Sequence, residues 1–313
     1  MTDYKLPIID ALDALRKKSI MDKEPFRARA YQTVITQLKS MPTFTKQDLP
    51  LLNGAGEKIT AKIKEIMETG SLASAEIAKQ TYHMDAIAVF QNIYGVGPVK
   101  AVSLIDQGIT SIDALRAALV EKPDLLNKKQ TVGLLYYDAL LQRIPFQEMK
   151  EHETILLDAI GTINRCAVGT VVGSFRRGAA DSGDIDLLVK GGIDMTAVVA
   201  ALGGYLVEIL ALGKNKCMAI CSLGVPRRLD ILVAPEEEYA YSLLYFTGSQ
   251  QFNIAFRGYA NACGYTMNEH GMTPLGNDMK PPIMKTEQDI FQFLGLQYVP
   301  PHLRVDGNQL LII

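Results

Sequence analysis

The chain has 313 residues, of which 48% are apolar and 21% are charged, and its formal net charge is −2 at pH 7. This composition excludes a disordered or fibrous chain and fits a globular protein of about two domains. No apolar run is long enough to span a bilayer and the first residues lack the pattern of a secretory signal, so we expect an intracellular protein without a membrane segment. The first 80 residues carry a charge of +3 and the remainder −5, so the amino-terminal part is the better candidate for binding phosphates.

The cysteines show neither the spacing of a zinc site nor that of a redox pair. We expect them to be reduced, partly buried thiols of an intracellular protein. The four are Cys166, Cys217, Cys221 and Cys263.

Helices are predicted for the amino-terminal part. Apolar residues recur at helical spacing from Ile8 to Lys18 and again from Pro25 to Met41. On the second helix we expect the inner face to carry Phe26, Ala30, Val34 and Leu38.

A Gly-x-Gly turn follows, at Gly54 and Gly56, and it leads directly into another helical segment. Such a turn leaves backbone N–H groups free at the positive end of the next helix, where they can bind a phosphate. Alone, the turn could simply cap a helix. It recurs at Gly95 and Gly97, before Pro98 at a favourable first-turn position. Two helix-hairpin-helix units are therefore predicted, which would hold a nucleic-acid backbone without reading its sequence.

From Phe146 onward, helices alternate with short β-rich runs, which predicts an antiparallel-tending α+β arrangement. Helices are expected from about Glu148 to Ile163 and near Thr196 to Leu202. The predicted strands are Val168 to Val172, Asp184 to Lys190, Tyr205 to Leu212, Lys216 to Ser222 and Arg228 to Val233.

The central motif of this part runs from Gly173 to Val189. Side chains alternate along a strand, so Asp184 and Asp186 should share one face, opposite Ile185. Two neighbouring carboxylates raise the cost of ionising each other unless a cation lies between them, and oxygen ligands of this kind suit Mg²⁺. An Asp-x-Asp is, by itself, more commonly a solvated strand edge.

Two further features favour the metal-site interpretation. Gly173 and Ser174 could cradle a polyphosphate, with Arg177 close behind. A third carboxylate, Asp230, begins a later strand-like run. Together these residues predict a metal-dependent nucleotidyl transfer site.

The segments Gly173 to Gly178, Gly183 to Asp186, Arg227 to Asp230 and Tyr245 to Ser249, with the two hairpins, resemble the family X DNA polymerases, closest to the beta-type repair polymerase. The resemblance covers nearly the whole chain. It implies an all-α helix-hairpin-helix domain followed by a multi-subdomain, nucleotidyltransferase-type polymerase domain. The expected divisions are a lyase-like DNA-binding domain (1–80), a helical DNA-binding subdomain with the second hairpin (81–146), a catalytic palm (147–235) and a subdomain that binds the nascent base pair (236–313).

The resemblance also implies an activity: DNA-directed DNA synthesis that fills short gaps in repair of the base excision type. Asp184 and Asp186 would bridge two Mg²⁺ ions, for which Mn²⁺ could substitute, and Asp230 would bind the ion at the primer 3′-hydroxyl and accept its proton. Nucleotide contacts are expected from Arg143, Ser174, Arg177, Gly183, Tyr245, Phe246, Gly248 and Asn253. DNA contacts are expected from Arg27, Tyr31, Gly54, Gly56, Lys58, Gly95, Gly97, Lys216, Arg228 and Arg257. A monovalent cation, Na⁺ or K⁺, is expected on the carbonyls of Leu52 and Ala55 in one hairpin and of Ile93 and Val96 in the other.

A second activity implied by the resemblance is removal of a 5′-deoxyribose phosphate through a Schiff base on Lys62. The amine must be neutral to attack a carbonyl, and Lys58, one helical turn earlier, would lower its pKa by repulsion. The alternative is that Lys58, Lys62 and Lys64 form an ordinary phosphate-binding face. Ser74 stands where the beta-type enzyme has another lysine of this pocket.

Two other functions remain open on the sequence: a DNA-binding scaffold without chemistry, and template-independent end addition. The short connection from Leu223 to Arg227 favours template use, since relatives that add nucleotides without a template carry an extra loop there. Departures from the beta-type pattern occur at Leu232, Gln250 and His270. The expected partners are gapped or primer-template DNA and deoxynucleoside triphosphates, bound by a monomer in the nucleus of a eukaryotic cell or, for a viral protein, in the infected cell.

Overall fold

The computed structural model describes residues 2–164, 167–276 and 279–313, so the prediction for Cys166 lies outside the described residues. The chain divides into two compact units, one extending to Thr131 and the other from Val132 to Ile313. None of the helices in the described ranges is both long and apolar enough to cross a membrane.

Residues 2–131, the described part of the first unit, form helices and connecting turns and contain no strand. Short 3₁₀ helices lie at Lys46–Leu51 and Pro123–Leu125. Its α-helices are α1 (Lys5–Met21), α2 (Pro25–Ser40), α3 (Glu57–Thr69), α4 (Ala73–Thr81), α5 (Met84–Gln91), α6 (Pro98–Asp106), α7 (Ile112–Glu121) and the first half of α8 (Lys128–Leu135).

Helices α1 to α4 pack around one apolar core. Leu12 of α1, Val34 and Leu38 of α2, and Ile63 of α3 are all fully buried in it. One predicted member of this core is wrong: Phe26 is 88% exposed. Phe26 lies in the first turn of α2, before Ala28, the first buried residue of this helix. Helical spacing alone therefore assigned Phe26 to the buried face of the helix, which is incorrect.

Both predicted Gly-x-Gly turns precede a helix. Gly54 and Gly95 have φ angles of +77° and +84°, which explains why glycine is needed at these points. A glutamine braces each turn. Gln37 donates its side-chain amide to the Asn53 carbonyl (2.6 Å) and accepts from the Asn53 N–H (2.9 Å), and Gln130 donates to the Gly95 carbonyl (2.9 Å).

The second unit combines helices with a mixed sheet, which confirms the predicted α+β class. Its helices are α9 (Tyr137–Leu140), α10 (Phe146–Ile163), α11 (Gly173–Arg176), α12 (Met195–Leu202), α13 (Tyr239–Thr247), α14 (Gln250–Ala262) and α15 (Glu287–Phe293). Its strands are β1 (Ile144–Pro145), β2 (Val168–Val171), β3 (Asp181–Ser182), β4 (Ile185–Lys190), β5 (Leu206–Leu212), β6 (Lys216–Ser222), β7 (Pro226–Ala234), β8 (Tyr265–Asn268) and β9 (Gly271–Pro274). Two 3₁₀ helices lie at Gly203–Tyr205 and Pro301–Leu303.

Five strands form the main sheet in the order β2-β4-β7-β6-β5, in which only β4 and β7 run parallel. Strand β4 alternates as predicted. Ile185, Leu187 and Val189 join the large core together with residues of α10 and α12, whereas Leu188 packs into a smaller cluster with Tyr239 of α13. Asp186 is on the same side of the strand as Leu188 because side chains alternate with period two.

The last part of the second unit has its own core, built by α13, α14 and α15. Phe252, Phe256 and Phe291 are essentially fully buried, with the Phe256 and Phe291 ring centroids 4.8 Å apart. This core fixes α14, whose opposite face carries polar residues of the site described next.

Candidate active site

A cleft of about 820 Å³ opens in the second unit, and its lining draws on three separate segments of the chain. Every one of the eight nucleotide contacts predicted from the sequence lies in this lining. The lining residues are Arg143, Gly173, Ser174, Arg177, Gly183, Asp184, Asp186, Tyr245, Phe246, Gly248, Gln250, Asn253, Ile254 and Arg257.

Two of the predicted carboxylates face each other across neighbouring strands. Asp186 on β4 and Asp230 on β7 are register partners in the parallel pair. Burial, and then the charge of Asp230, raise the pKa of Asp186 from 3.8 to about 6. Burial also raises the pKa of Asp230, against the opposing effect of Arg228 and Lys216. The fold therefore holds two carboxylates where their negative charge is costly.

The third carboxylate has a different partner. Asp184 directly precedes β4, and its Oδ2 accepts a hydrogen bond from Arg228. The Arg228 Nε lies 3.6 Å from Asp230 Oδ1, and both atoms are buried without a hydrogen-bond partner among the residues that the structure describes. One arginine thus lies between two of the three predicted metal ligands.

The donor set fits a hard divalent ion. Asp230 Oδ1 is a buried oxygen that accepts no hydrogen bond within the described parts of the chain, and the raised pKa of Asp186 indicates that a positive charge would stabilise its ionised form. No ready-made group of three acidic, histidine or cysteine side chains occurs in the ranges that the structure describes. Binding by all three carboxylates therefore requires Arg228 to release Asp184.

The wall formed by α11 and the following turn carries the residues predicted to bind phosphates. The Ser174 hydroxyl donates to Ser182 Oγ (2.8 Å), and Arg177 Nη1 donates to the Thr247 carbonyl (2.6 Å). Arg143 directly precedes β1 and donates from Nε and Nη2 to Asp181 Oδ1 (2.9 and 2.6 Å). A guanidinium has five N–H donors, so each arginine keeps donors for an anionic ligand.

The opposite wall is formed by the end of α13 and the exposed face of α14. The rings of Tyr245 and Phe246 meet edge to face with centroids 5.1 Å apart, and Asn253 donates to the Tyr245 carbonyl (2.7 Å). The peptide bond between Gly248 and Ser249 is cis. Asn253 and Arg257 line the cleft as members of a helical stripe, which also contains Gln250 and Ile254.

Gln250 and Ile254 were not predicted as site residues. The spacing of Gln250, Asn253, Ile254 and Arg257 (i, i+3, i+4, i+7) is the signal that would have found them. Ile254 is 66% exposed, which is unusual for an isoleucine whose helix has a well-filled apolar face.

The remaining predicted DNA contacts are distributed over both units. In the second unit, Lys216 is exposed at the start of β6, and its positive charge lowers the pKa values of Asp186 and Asp230 against the effect of burial. In the first unit, Arg27 is exposed but paired with Glu24 (2.6 Å). Gly54, Gly56, Lys58, Gly95 and Gly97 are exposed.

The residues predicted for the Schiff-base site lie on α2 and α3. Tyr31 is only 6% exposed, and burial raises the pKa of its phenol. Lys62 is half-buried on α3, one turn after the exposed Lys58. Tyr31 belongs to the same apolar core as Ile59 and Ile63 of α3.

The predicted cation carbonyls are already engaged in part. Ala55 O accepts from the Thr60 hydroxyl (3.0 Å), and Ile93 O accepts from the Val96 N–H (2.9 Å). A carbonyl oxygen has two lone pairs, so each keeps one for a cation.

Four family models match the chain in sequence order. They describe a helix-hairpin-helix domain (residues 4–72), the fingers domain of DNA polymerase lambda (88–141), the DNA polymerase beta palm (143–236) and the DNA polymerase beta thumb (242–305). The sheet with its facing aspartates lies within the match to the DNA polymerase beta palm. The chain belongs to the family X DNA polymerases, which confirms the resemblance noted in the sequence.

Curated relatives agree with this assignment. The chain is 30% identical to DNA polymerase lambda of Rattus norvegicus, in an alignment covering 96% of this chain and 56% of the relative. It is 29% identical to DNA polymerase lambda of Arabidopsis thaliana (90% and 58%) and 26% identical to the DNA nucleotidylexotransferase of Gallus gallus (96% and 64%). The chain spans somewhat more than half the length of these relatives.

Proposed function

We propose that this protein is a DNA-directed DNA polymerase that fills short gaps during repair. The observation that best supports this function is the convergence of eight predicted nucleotide contacts and two carboxylates in one cleft. The direct test is extension of a DNA primer by the purified chain with Mg²⁺ and deoxynucleoside triphosphates. A DNA-binding scaffold without chemistry would give no extension.

In the proposed reaction, the primer 3′-hydroxyl attacks the α-phosphorus of the incoming nucleotide in line, and pyrophosphate leaves. Arg143 and Arg177 hold the triphosphate, with Ser174 and the backbone at Gly183 completing its cradle. Asp230 accepts the proton of the hydroxyl, a role that suits a carboxylate whose pKa is raised by burial.

The base and the template are held from the other wall. Asn253 would contact the incoming base edge once it exchanges its hydrogen bond to the Tyr245 carbonyl for one to the nucleotide. Tyr245, Phe246 and Gly248 would contact the sugar, and Arg257, which lines the cleft on the same helix face as Asn253, would contact the template strand. Lys216 and Arg228 would contact the primer strand.

The proposed cofactors are two Mg²⁺ ions, or Mn²⁺ in their place, held by Asp184, Asp186 and Asp230. When bound, such ions lower the pKa of a nucleophilic hydroxyl and neutralise charge on the triphosphate. The donor atoms available for them are Asp230 Oδ1, which accepts no hydrogen bond from the described residues, the Asp186 carboxylate and, after Arg228 has moved, that of Asp184.

The proposed division of labour follows the expected boundaries: residues 1–80 bind the downstream strand, 81–146 the primer strand, 147–235 carry the chemistry and 236–313 bind the nascent base pair. Each hairpin would hold DNA phosphates with its backbone N–H groups, with the help of a monovalent cation on its carbonyls. We propose that the protein acts as a monomer, in the nucleus of a eukaryotic cell or in a virus-infected cell.

The glycine at the start of the phosphate wall provides a sharp test of this site. A Cβ on Gly173 would lie 2.4 Å from Asp186 Oδ2, and the residue has φ +63°. Gly173→Ala must therefore displace the Asp186 carboxylate, and we expect kcat/KM for nucleotide incorporation to fall at least about 100-fold. Single-turnover primer extension measures this.

The matched control is Gly178→Ala. Gly178 also has a positive φ (+76°), but a Cβ there meets nothing within 4 Å. Gly178→Ala therefore has the same backbone cost as Gly173→Ala but places no Cβ against the Asp186 carboxylate, so the rate of incorporation should stay within about threefold of wild type. Equal losses in the two variants would contradict the proposed role of the contact with Asp186.

Substrate preference provides a second prediction. If one hairpin holds a downstream 5′-phosphate and the other the primer strand, a one-nucleotide gap engages both on one DNA molecule, which raises their effective concentration. We expect kcat/KM at least about tenfold higher on this gap than on an open primer-template at physiological salt, with affinity that falls steeply as salt increases.

A variant of the first hairpin tests the origin of this preference. Gly54→Ala strains a turn at φ +77°, and should reduce the advantage of the gap while leaving open primer-template extension unchanged. Gly70→Ala, at φ +82° in open space after α3, is the matched control. Equal use of gapped and open DNA by wild type would count against the two-hairpin arrangement.

Template-independent addition is the alternative suggested by similarity to the DNA nucleotidylexotransferase. In this chain β6 and β7 are joined by a tight connection, since Ser222 pairs directly with Pro226. A connection this short supports template use. Extension that is equally fast with and without the template strand would reverse the proposal.

A second activity is proposed for the first unit: removal of a 5′-deoxyribose phosphate by Lys62. The supporting observation is that Lys62 is half-buried on the helix that follows the first hairpin, next to a core that contains Tyr31. A lysine amine is the nucleophile that forms a Schiff base with the aldehyde of such a substrate.

A further inference from the structure

The second unit contains a buried carboxylate outside the cleft, at the first residue of α15. Glu287 is 5% exposed and accepts hydrogen bonds from two arginines. Arg176 donates from Nη1 (3.1 Å) and Nη2 (2.9 Å), and Arg304 donates from Nη1 (2.6 Å). Burial raises the pKa of Glu287, but the hydrogen bonds from both arginines outweigh this and leave it below its ordinary value.

One side of this cluster is anchored in the carboxyl-terminal core. The Arg304 side chain is completely buried, and its Nε donates to the Val299 carbonyl (2.9 Å). Its guanidinium carbon lies 5.7 Å from the Phe291 ring centroid and 5.6 Å from that of Tyr298. Arg304 therefore keeps several partners that do not depend on Glu287.

The other side of the cluster leads to the cleft. Arg176 Nη1 also donates to the hydroxyl of Thr247 (2.6 Å), while Arg177 donates to the carbonyl of the same residue (2.6 Å). Thr247 is fully buried and ends α13, directly before Gly248. Adjacent arginines of the phosphate wall thus hold the segment that begins the opposite wall.

We propose that Glu287 is a positioning residue for the triphosphate pocket: through Arg176 it fixes α11 against the turn at Thr247 and Gly248. The inference rests on the proposed function, because the pocket is the one assigned there to the triphosphate. Glu287 itself does not line the cleft. Among the described residues, loss of Glu287 leaves Arg176 with a hydrogen bond to Thr247 alone, so α11 and the residues it carries can shift relative to Gly248.

The test is a set of three variants assayed on a one-nucleotide gap. Glu287→Gln keeps the shape of the side chain and removes its charge, and Arg176→Gln breaks the same link from the other end. Each should raise KM for the incoming nucleotide about tenfold, with kcat within about threefold and the Kd for gapped DNA unchanged. The double variant should raise KM no further than either single variant, because both substitutions remove the same interaction between Glu287 and Arg176.

Tyr298→Phe is the matched control within the cluster. The Tyr298 hydroxyl donates to Glu287 Oε2 (3.3 Å), the oxygen that also accepts from Arg176 Nη2 (2.9 Å), and it accepts from Arg304 (3.4 Å). Its removal leaves both hydrogen bonds between Arg176 and Glu287 in place. This variant should lower Tm without changing KM for the nucleotide. A Glu287→Gln protein with lowered Tm and wild-type KM would overturn the inference, since the carboxylate would then serve stability alone.

Two further measurements keep the test decisive. If Glu287→Gln does not fold, the test is made with Arg176→Gln, and a wild-type KM for the nucleotide in that variant overturns the proposal.

If the wild-type chain incorporates no nucleotide, the proposed function fails. In that case the rise in Tm on adding Mg²⁺ and a deoxynucleoside triphosphate still tests the link, because binding to the folded state stabilises it. A smaller rise in Arg176→Gln supports the inference, and equal rises overturn it.

Discussion

Asp186→Asn is expected to lower the rate of nucleotide incorporation by at least about 10³-fold, because it removes the charge on the carboxylate at the centre of the proposed divalent-ion site. The substitution keeps the size of the side chain, so the Kd for gapped DNA should stay within about threefold of wild type. Single-turnover extension and equilibrium DNA binding measure the two quantities. A variant that extends a primer at near-normal rate would refute the assignment of Asp186.

The same substitution should not destabilise the fold. Burial and the charge of Asp230 raise the pKa of Asp186 from 3.8 to about 6, so the folded state binds more protons than the unfolded state between these values. Stability contributed by this group therefore decreases as pH rises from about 4 to 6. Asparagine does not titrate, so without divalent ions the Tm of the variant relative to wild type should increase across this range. Asp158 is an exposed residue of α10. Asp158→Asn is the control and should change neither the rate of nucleotide incorporation nor the dependence of Tm on pH.

Lys62→Ala is expected to abolish covalent trapping of a 5′-deoxyribose phosphate substrate. Borohydride reduces the imine between a lysine and the C1′ aldehyde to a stable amine, so the adduct reports the nucleophile directly. We expect adduct yield to fall at least about 100-fold while gap filling by the second unit is retained. Gap filling that is retained in Lys62→Ala would place nucleotide incorporation and removal of the 5′-deoxyribose phosphate in separate parts of the chain.

Lys64→Ala supplies the comparison for this experiment. Lys64 is exposed two residues further along α3, so Lys64→Ala removes the same charge as Lys62→Ala but leaves the half-buried Lys62 residue in place. Adduct formation should be nearly unchanged. Absence of adduct in wild type, or equal trapping by Lys62→Ala, would leave Lys58, Lys62 and Lys64 as a phosphate-binding face only.

Local patterns in the sequence were sufficient for many of the helices and strands, whereas the nucleotide contacts were predicted from the resemblance to the family X DNA polymerases. Strand β4 follows from its alternation, because one face is buried and a carboxylate occupies the other. The hairpin turns follow from Gly54 and Gly95, since positive φ angles favour glycine. The predicted nucleotide contacts lie within short motifs whose residues are close in sequence, and those motifs lie together in the cleft.

Only the tertiary structure decided which distant groups face each other. The parallel register of β4 and β7 places Asp186 opposite Asp230, whereas Asp184, on the same motif, pairs with Arg228. Glu287 meets Arg176 across 111 positions in the sequence, which no local spacing can indicate. Exposure of Phe26 likewise depends on where α2 enters the core and not on its helical period. Periodicity specifies the face of an element, but the partner on that face is set by packing of the whole chain.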